Sequence, residues 1–295
     1  MKTVWACVVC WRAPVEQVRA LVDAIRDQVD EVLLLDNAAG ADRALSQLVD
    51  DNVRYIAMPA NLGTGGAMNC AWRLALASGV DAMASFDQDS MPAPDMVERL
   101  CGTLASLRRQ GVRAAAVGPV KIDPRTGLAG RLLRPIRFLR RHAPGTAPGP
   151  VEMDHLITSG CLIAADAFVD VGEYDEGLFL DYVDMDWCVR ARARGWRHYV
   201  DTAASLSHRI GDDVYRMGGR MLSIHQPMRN YLLLRNHLLL WKKPAFPRGW
   251  LASDFLQVAK KLAASLLLGA QRTQRLRWIA KAWRDGLRGR SGPPP

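Results

Sequence analysis

No apolar run in this sequence approaches the ~20 residues that a membrane-crossing helix needs. Uncharged runs such as LAASLLLGA and YLLL fall far short, so no segment is expected to span a bilayer, and only a helix lying on its surface stays open. The first residues lack the small-residue cleavage site of a signal peptide, and no leader is expected. Cysteines number six (Cys7, Cys10, Cys70, Cys101, Cys161, Cys188) and only Cys7 and Cys10 stand close together. A structural zinc site takes four ligands, no second pair is present, and residues three apart in a strand such as VWACVVCW face opposite ways. Zinc is disfavoured, and scattered thiols fit a reducing cytoplasm. Cationic excess is missing from the body of the chain. The net charge is +9 over 295 residues, yet ten Lys or Arg against two acids fall from Arg248 onward. A near-neutral body speaks against a nucleic-acid-binding surface. A glycine-rich turn after the first strand is also missing: the residues there are CWRAP. Asp36 could be the ribose-binding acid of a dinucleotide fold only if such a turn preceded it. The later NLGTGG does not match GxGxxG, which disfavours a nicotinamide-dependent oxidoreductase. There is no internal repeat.

What is present alternates. VWACVVCW, EVLLLDN, NVRYIAMP and DAMASF read as strands, and VEQVRALVDAIRDQV and AMNCAWRLALASG as helices. Nearly all-apolar strands separated by helices predict an α/β protein with a mostly parallel sheet covered on both faces. Ligands of such sheets bind beyond the carboxyl ends of the strands, where Trp11, Asp36, Asn61, Asp87 and Asp89 all fall. HLITSGCLIAADAFVDVG predicts a strand, a Ser-Gly turn and a short helix. LFLDYVDMDWCVRARARG predicts a helix with an acidic start and a basic end, as the helix dipole favours. A strand ending at His208 follows, residues 131–150 read as a basic, Pro/Gly-rich surface loop, and the chain is expected to be helical from Met221.

Three clusters carry chemistry. FDQDS brings Asp87 and Asp89 to a strand end with no Lys or Arg between Arg73 and Arg99. Paired carboxylates repel unless a cation sits between them, and Mg²⁺ or Mn²⁺ with oxygen ligands and open sites for phosphates fits. A solvated turn with Ser90 as a helix cap is the plainer reading. On the acidic helix, Asp181 and Asp184 are expected to share a face, while Asp186 is four residues before Arg190, an ion-pair spacing. One of these acids could serve as general base. SLSHRIGDD places His208, a plausible extra metal ligand, beside Gly211, Asp212 and Asp213.

The ordered blocks VVCWR, LLLDNAA, NLGTGGAMNCA, FDQDS, ITSGCLI, LDYVDMDWCVRARARG, SHRIGD and HQPMRNYLLLRN resemble the bacterial rhamnosyltransferases of glycosyltransferase family 2, over roughly residues 4–290. The resemblance implies a GT-A fold over 1–220, its nucleotide-binding half about 1–120 and its acceptor half about 121–220, then a basic helical region over 221–295. It implies an inverting, Mg²⁺- or Mn²⁺-dependent transfer of L-rhamnose from dTDP-L-rhamnose to a hydroxyl of a glycan acceptor. By the same likeness Trp11, Asp36, Asn61, Gly65, Gly66, Asn69, Asp87 and Gln88 would meet the nucleotide sugar. Asp87, Asp89 and His208 would hold the metal, and Ser159, Gly160 and Trp187 would lie near the acceptor. The family's Glu-Asp position aligns with Val183-Asp184, so the general base is assigned to Asp184, with Asp181 and Asp186 behind it. A UDP-hexose or UDP-N-acetylhexosamine donor, and an inactive glycan- or membrane-binding protein, are the alternatives. The tail interleaves tryptophans with cations. It is either a set of packing helices with a solvated face or a contact with an anionic membrane surface. The second reading fits a lipid-linked acceptor and a peripheral place on the inner face of a bacterial plasma membrane. Homo-oligomer formation is left open.

Overall fold

Seven apolar residues, VWACVVC, form β1 (Val4–Cys10), and six of them are buried. The computed structural model describes residues 1–125, 127, 132–133, 141–142, 149–208, 213–217, 220–224 and 226–295. Helix α1 (Val15–Ile25) buries Val18, Leu21, Val22 and Ile25, one apolar stripe at helical spacing. Then follow β2 (Glu31–Asp36), the short α2 (Arg43–Ser46), β3 (Val53–Ala57), α3 (Gly63–Ala77), β4 (Ala82–Asp87), β5 (Ser90–Pro92), α4 (Met96–Arg109) and β6 (Ala114–Ile122). The second half holds β7 (Leu132–Leu133), β8 (Arg141–His142), β9 (Pro150–Met153), β10 (Cys161–Ala164), α5 (Ala165–Val171), α6 (Val183–Ala193) and β11 (Arg197–His208). A hairpin of β12 (Asp213–Met217) and β13 (Arg220–Ile224) leads to α7 (Pro227–Leu240), α8 (Arg248–Leu268) and α9 (Arg272–Arg288).

The main sheet runs β3-β2-β1-β4-β10-β6-β11-β5, with β9 also on β11. The long ladders β1 with β2, β1 with β4, β2 with β3 and β6 with β11 are parallel. The shorter ones, through β10, β5 and β9, are antiparallel. The sheet is thus mostly parallel, as its apolar strands predict. Each fully buried Leu, such as Leu33 or Leu35, contributes about 1.5–3 kcal/mol. The buried Cys7 and Cys10 thiols are pushed up to about 12 by burial, so this CxxC is core packing.

Four expectations need correction. Helix α3 starts at Gly63 instead of at the Ala67 of AMNCAWRLALASG, so NLGTGG is largely its first turn. The strand near the Ser-Gly turn, β10, follows that turn instead of preceding it. Residues 221–224 are strand, the helices begin at Pro227, and a boundary at 220 falls on the first residue of β13. Helix α6 begins at Val183, after a left-handed Tyr182 (φ 70°), so Asp181 stands outside it and shares no helical face with Asp184. Most of the expected 131–150 loop, and Gly211 and Asp212, lie outside the described residues, and of Asp213 only the backbone is described.

The C-terminal helices grip the segment before α6. Fully buried Arg235 donates to the carbonyls of Gly177, Leu178 and Gly292, and Asn236 Nδ2 to those of Leu178 (2.7 Å) and Asp181 (2.8 Å). Lys243 Nζ bridges Asp175 (2.5 Å) and Asp186 (2.6 Å). Removing one partner of a buried ion pair strands the other charge. Lys243→Met should therefore destabilise the protein by about 3 kcal/mol in urea unfolding. A change within about 0.5 kcal/mol, as at ordinary surface sites, would show that this grip is not structural.

Candidate active site

The carboxyl ends of β1, β2 and β4 lie side by side, with Cys10 opposite Asp36 and Val9 opposite Asp87. The turn Gln88-Asp89 then carries the chain into β5, where Ser90 pairs with His208 at the end of β11. The fold thereby brings an imidazole from far along the chain to the two aspartates. His208 Nδ1 lies 3.3 Å from Asp89 Oδ1, and its Nε2 lies 3.7 Å from Asp87 Oδ2. One ligand atom of each lies within 4.8 Å of the others. Ser90 Oγ hydrogen-bonds His208 Nδ1 (3.3 Å) and also Ser159 Oγ, which accepts from Asp87 N (3.4 Å). Ser90 is therefore a strand residue bracing the cluster, and it caps no helix.

Burial raises the Asp87 carboxyl above its ordinary value, with His208 and Lys121 pulling it down and Asp89 and Asp184 pushing it up. Two half-buried carboxylates held this close are unfavourable unless a cation joins them. Two carboxylates and an imidazole are donors that hard divalent ions accept. The donor set fits Mg²⁺ or Mn²⁺, and Asp87, Asp89 and His208 are the residues that would hold it.

Lys121, missed in the sequence, stands at the end of β6 opposite Leu206. Burial pushes its ammonium down to about 8, against the pull of Asp87 and Asp184. Its Nζ donates to Ile157 O at 3.3 Å. A charged residue closing an apolar strand, the pattern that marks Asp36 and Asp87, marks Lys121 in GPVKID as well.

Asp184 opens α6. Its Oδ2 accepts from Thr158 N (3.3 Å) and its Oδ1 from Met185 N (2.7 Å). One bond per oxygen leaves acceptor capacity on each, and its charge is near enough to raise the Asp87 carboxyl and to oppose the lowering of Lys121. Asp181 Oδ1 is held by Arg229 at 3.3 Å. Asp186 is fully buried between Arg190 (2.9 Å) and Lys243 (2.6 Å), so it cannot reach a substrate and leaves the set of candidate bases.

The nucleotide side divides likewise. Trp11, half exposed, donates its backbone N–H to Gln88 Oε1 (2.7 Å), which joins two expected contacts in one wall. Asn61 Oδ1 accepts from Asn37 Nδ2 (3.2 Å) and Gly63 N (2.9 Å). Asp36 is only 1 % exposed and accepts from Tyr55 Oη (2.7 Å), Asp42 N (2.9 Å) and Ala38 N (3.1 Å). It shapes the loop after β2 from within. Asn69 is fully buried, bonded to Tyr174 and Glu176. A Cβ on Gly63 (φ +69°) would fall 2.2 Å from Phe179 O, and one on Gly65 would fall 3.2 Å from Val183 Cγ1. Gly65 and Gly66 are buried as well. These residues let α3 press against the segment leading to Asp184.

On the acceptor side, Trp187 is 1 % exposed, packs on Phe168 and Tyr174 and donates Nε1–H to Gly172 O (3.0 Å). Ser159 and Gly160 are buried too, and a Cβ on Gly160 (φ +74°) would meet Leu206 and Pro119 at 2.9 Å. All three residues are packed within the protein.

Comparison with known proteins agrees with this geometry. A family model described as Glycosyl transferase family 2 matches residues 6–168, more than half of the chain. The dTDP-rhamnosyl transferase RfbF of Shigella flexneri is 28% identical over 295 residues, covering 98% of this chain and 97% of that protein. The crystal structure of GalNAc-T7 with UDP, GalNAc and Mn²⁺ matches with a TM-score of 0.57 at 14% identity, over 80% of this chain. The chain spans half of that structure's length, and the likeness is one of fold, of the GT-A type.

Proposed function

This chain belongs to glycosyl transferase family 2 and is a glycosyltransferase, and we propose that it moves L-rhamnose from dTDP-L-rhamnose to a hydroxyl of a cell-surface glycan acceptor. The observation that carries this reading is the Asp87, Asp89 and His208 cluster at the carboxyl edge of the sheet, with Asp184 beside it. The donor sugar rests on the full-length similarity to a dTDP-rhamnosyl transferase. A bound Mg²⁺ or Mn²⁺ would offset the charge developing on the leaving nucleoside diphosphate. Asp87, Asp89 and His208 supply its ligands, while Ser90 and Ser159 fix the imidazole and the Asp87 backbone. Trp11 and Gln88 form the wall beside β1 against which the nucleotide lies, with the loop that Asp36 orders next to it. Lys121 sets a positive charge between the diphosphate side and the base. Asp184, anchored by Thr158 and Met185, takes the proton of the attacking acceptor hydroxyl. A single displacement from the face opposite the diphosphate inverts the anomeric carbon, with no second nucleophile required. The acceptor is a lipid-linked glycan met at the inner face of the plasma membrane, a reading supported by the basic, tryptophan-rich helices α8 and α9.

Donor hydrolysis in Mn²⁺ across dTDP-rhamnose, UDP-glucose, UDP-galactose and UDP-N-acetylglucosamine tests this. Selective turnover of dTDP-rhamnose is expected, by at least about tenfold, the low end of what one methyl or methylene contact discriminates. Preference for a UDP-sugar would overturn the donor assignment and keep the rest.

A further inference from the structure

We propose that the outer face of α8 and α9 is a docking surface for anionic phospholipid, which seats the enzyme on a membrane. This deepens the reading of a lipid-linked acceptor and rests on it only for its purpose; the surface itself is argued from the helices. Helix α9 carries two apolar stripes. The inner one, through Trp278, Ile279 and Ala282, packs on α7 and α8. The outer one is Leu276, Ala280, Trp283 and Leu287, spaced four, three and four residues apart and so on one face. Leu276, Trp283 and Leu287 are 54%, 40% and 65% exposed. Arg277, Arg284 and Arg288 flank this stripe, all exposed. Helix α8 repeats the pattern: Leu256 (59% exposed) and Leu267 (70%) lie three turns apart with exposed Lys260 between them.

Ring contacts join the two helices beneath these stripes. The Trp283 ring lies 6.1 Å from Phe255, the neighbour of Leu256, and Phe255 lies 5.6 Å from His237, which itself touches the exposed Trp241. A run of exposed leucines and tryptophans rimmed by cations marks an interaction surface. Its charge selects the occupant. The two acids from Arg248 onward are turned inward: Asp254 bonds Tyr182 and His237, and Asp285 is 2% exposed against Tyr231, Arg284 and Arg290. A second copy docking through the same patch would set these cations against themselves, because a twofold contact is self-complementary. An anionic lipid surface meets both features, with leucines and tryptophans at the headgroup boundary and Lys and Arg on the phosphates. Among the described residues no helix is long and apolar enough to cross a membrane, so the helices would lie on the bilayer.

Flotation of the full chain with vesicles of phosphatidylcholine, alone or mixed with phosphatidylglycerol, tests the proposal. Binding to the mixed vesicles is expected, and it should weaken at high salt. Each cation adds about fivefold to partitioning. Replacing Lys260, Arg277 and Arg288 together by Gln should therefore cut binding by roughly a hundredfold. Leu276→Glu with Leu287→Glu should abolish it, while circular dichroism and vesicle-free donor hydrolysis stay as in the wild type. Equal binding to phosphatidylcholine alone, or variants that float like the wild type, would overturn the proposal. So would a dimer in sedimentation that Leu276→Glu dissociates, which assigns the face to a second copy. Vesicle binding without turnover of dTDP-rhamnose would count against the transfer reading and leave this one standing.

Discussion

Asp89→Ala should weaken Mn²⁺ binding at least about 100-fold, because even the loss of an outer-shell partner of a metal ligand lowers affinity about 10–100-fold. Asp89 is one of three donors, and its Oδ1 is the atom facing His208 Nδ1 at 3.3 Å. Without it, Asp87 and His208 remain with a 3.7 Å approach between them, and two protein ligands hold a divalent ion poorly. Manganese paramagnetic resonance reads the affinity directly. Thermal or urea unfolding gives a second measure that needs no acceptor. At an ion concentration 100 times the dissociation constant, the wild type gains about 2.7 kcal/mol, and the variant should gain almost nothing at that concentration. Donor turnover should fall in parallel. If Mn²⁺ stabilises both proteins equally, the ion binds elsewhere and the cluster is not its site.

The strand ends were the legible part of this site. Asp36, Asp87 and Asp89 close apolar runs, and a parallel sheet gathers such ends on one edge whatever the loops do. That geometry follows from period and composition alone. His208 was legible as a strand-closing residue and a plausible metal ligand, but not as a neighbour of Asp89. Its contact with Asp89 depends on β5 pairing with β11, which local pattern does not encode.

Side-chain direction was the illegible part. Asn69 and Trp187 lie within motif blocks that surround the site, yet both point inward. Asn69 braces α3 against Tyr174 and Glu176, and Trp187 fills the space between Phe168 and Tyr174. Which face of a helix meets the core is set by what packs on it, and that partner comes from distant sequence. Asp186 makes the point through energetics. Its spacing to Arg190 was readable at four residues, but the second cation, Lys243, arrives from the segment between α7 and α8. A carboxylate with one exposed partner could serve as a base, whereas one buried between two cations is structural.

The acids around α6 can therefore be separated by experiment. Asp184→Asn should lower kcat by about 10²–10⁴-fold, the range supplied by a positioned general base, with little change in the donor KM. Asparagine keeps the shape and an oxygen that can accept from Thr158 or Met185, so the segment should stay in place and the fold intact. What is lost is the ability to take the acceptor's proton, an interaction that matters in the transition state and hardly at all in the bound ground state. Asp186→Asn should do the reverse: it leaves Lys243 and Arg190 facing a neutral group and should destabilise the protein by about 3 kcal/mol. Its turnover per folded molecule should stay near that of the wild type. Asp181, held by Arg229 outside the helix, is the remaining rival. Were Asp181→Asn to cost a thousandfold in kcat while Asp184→Asn cost only a few-fold, the base would be Asp181, and Arg229 would be the group that positions it.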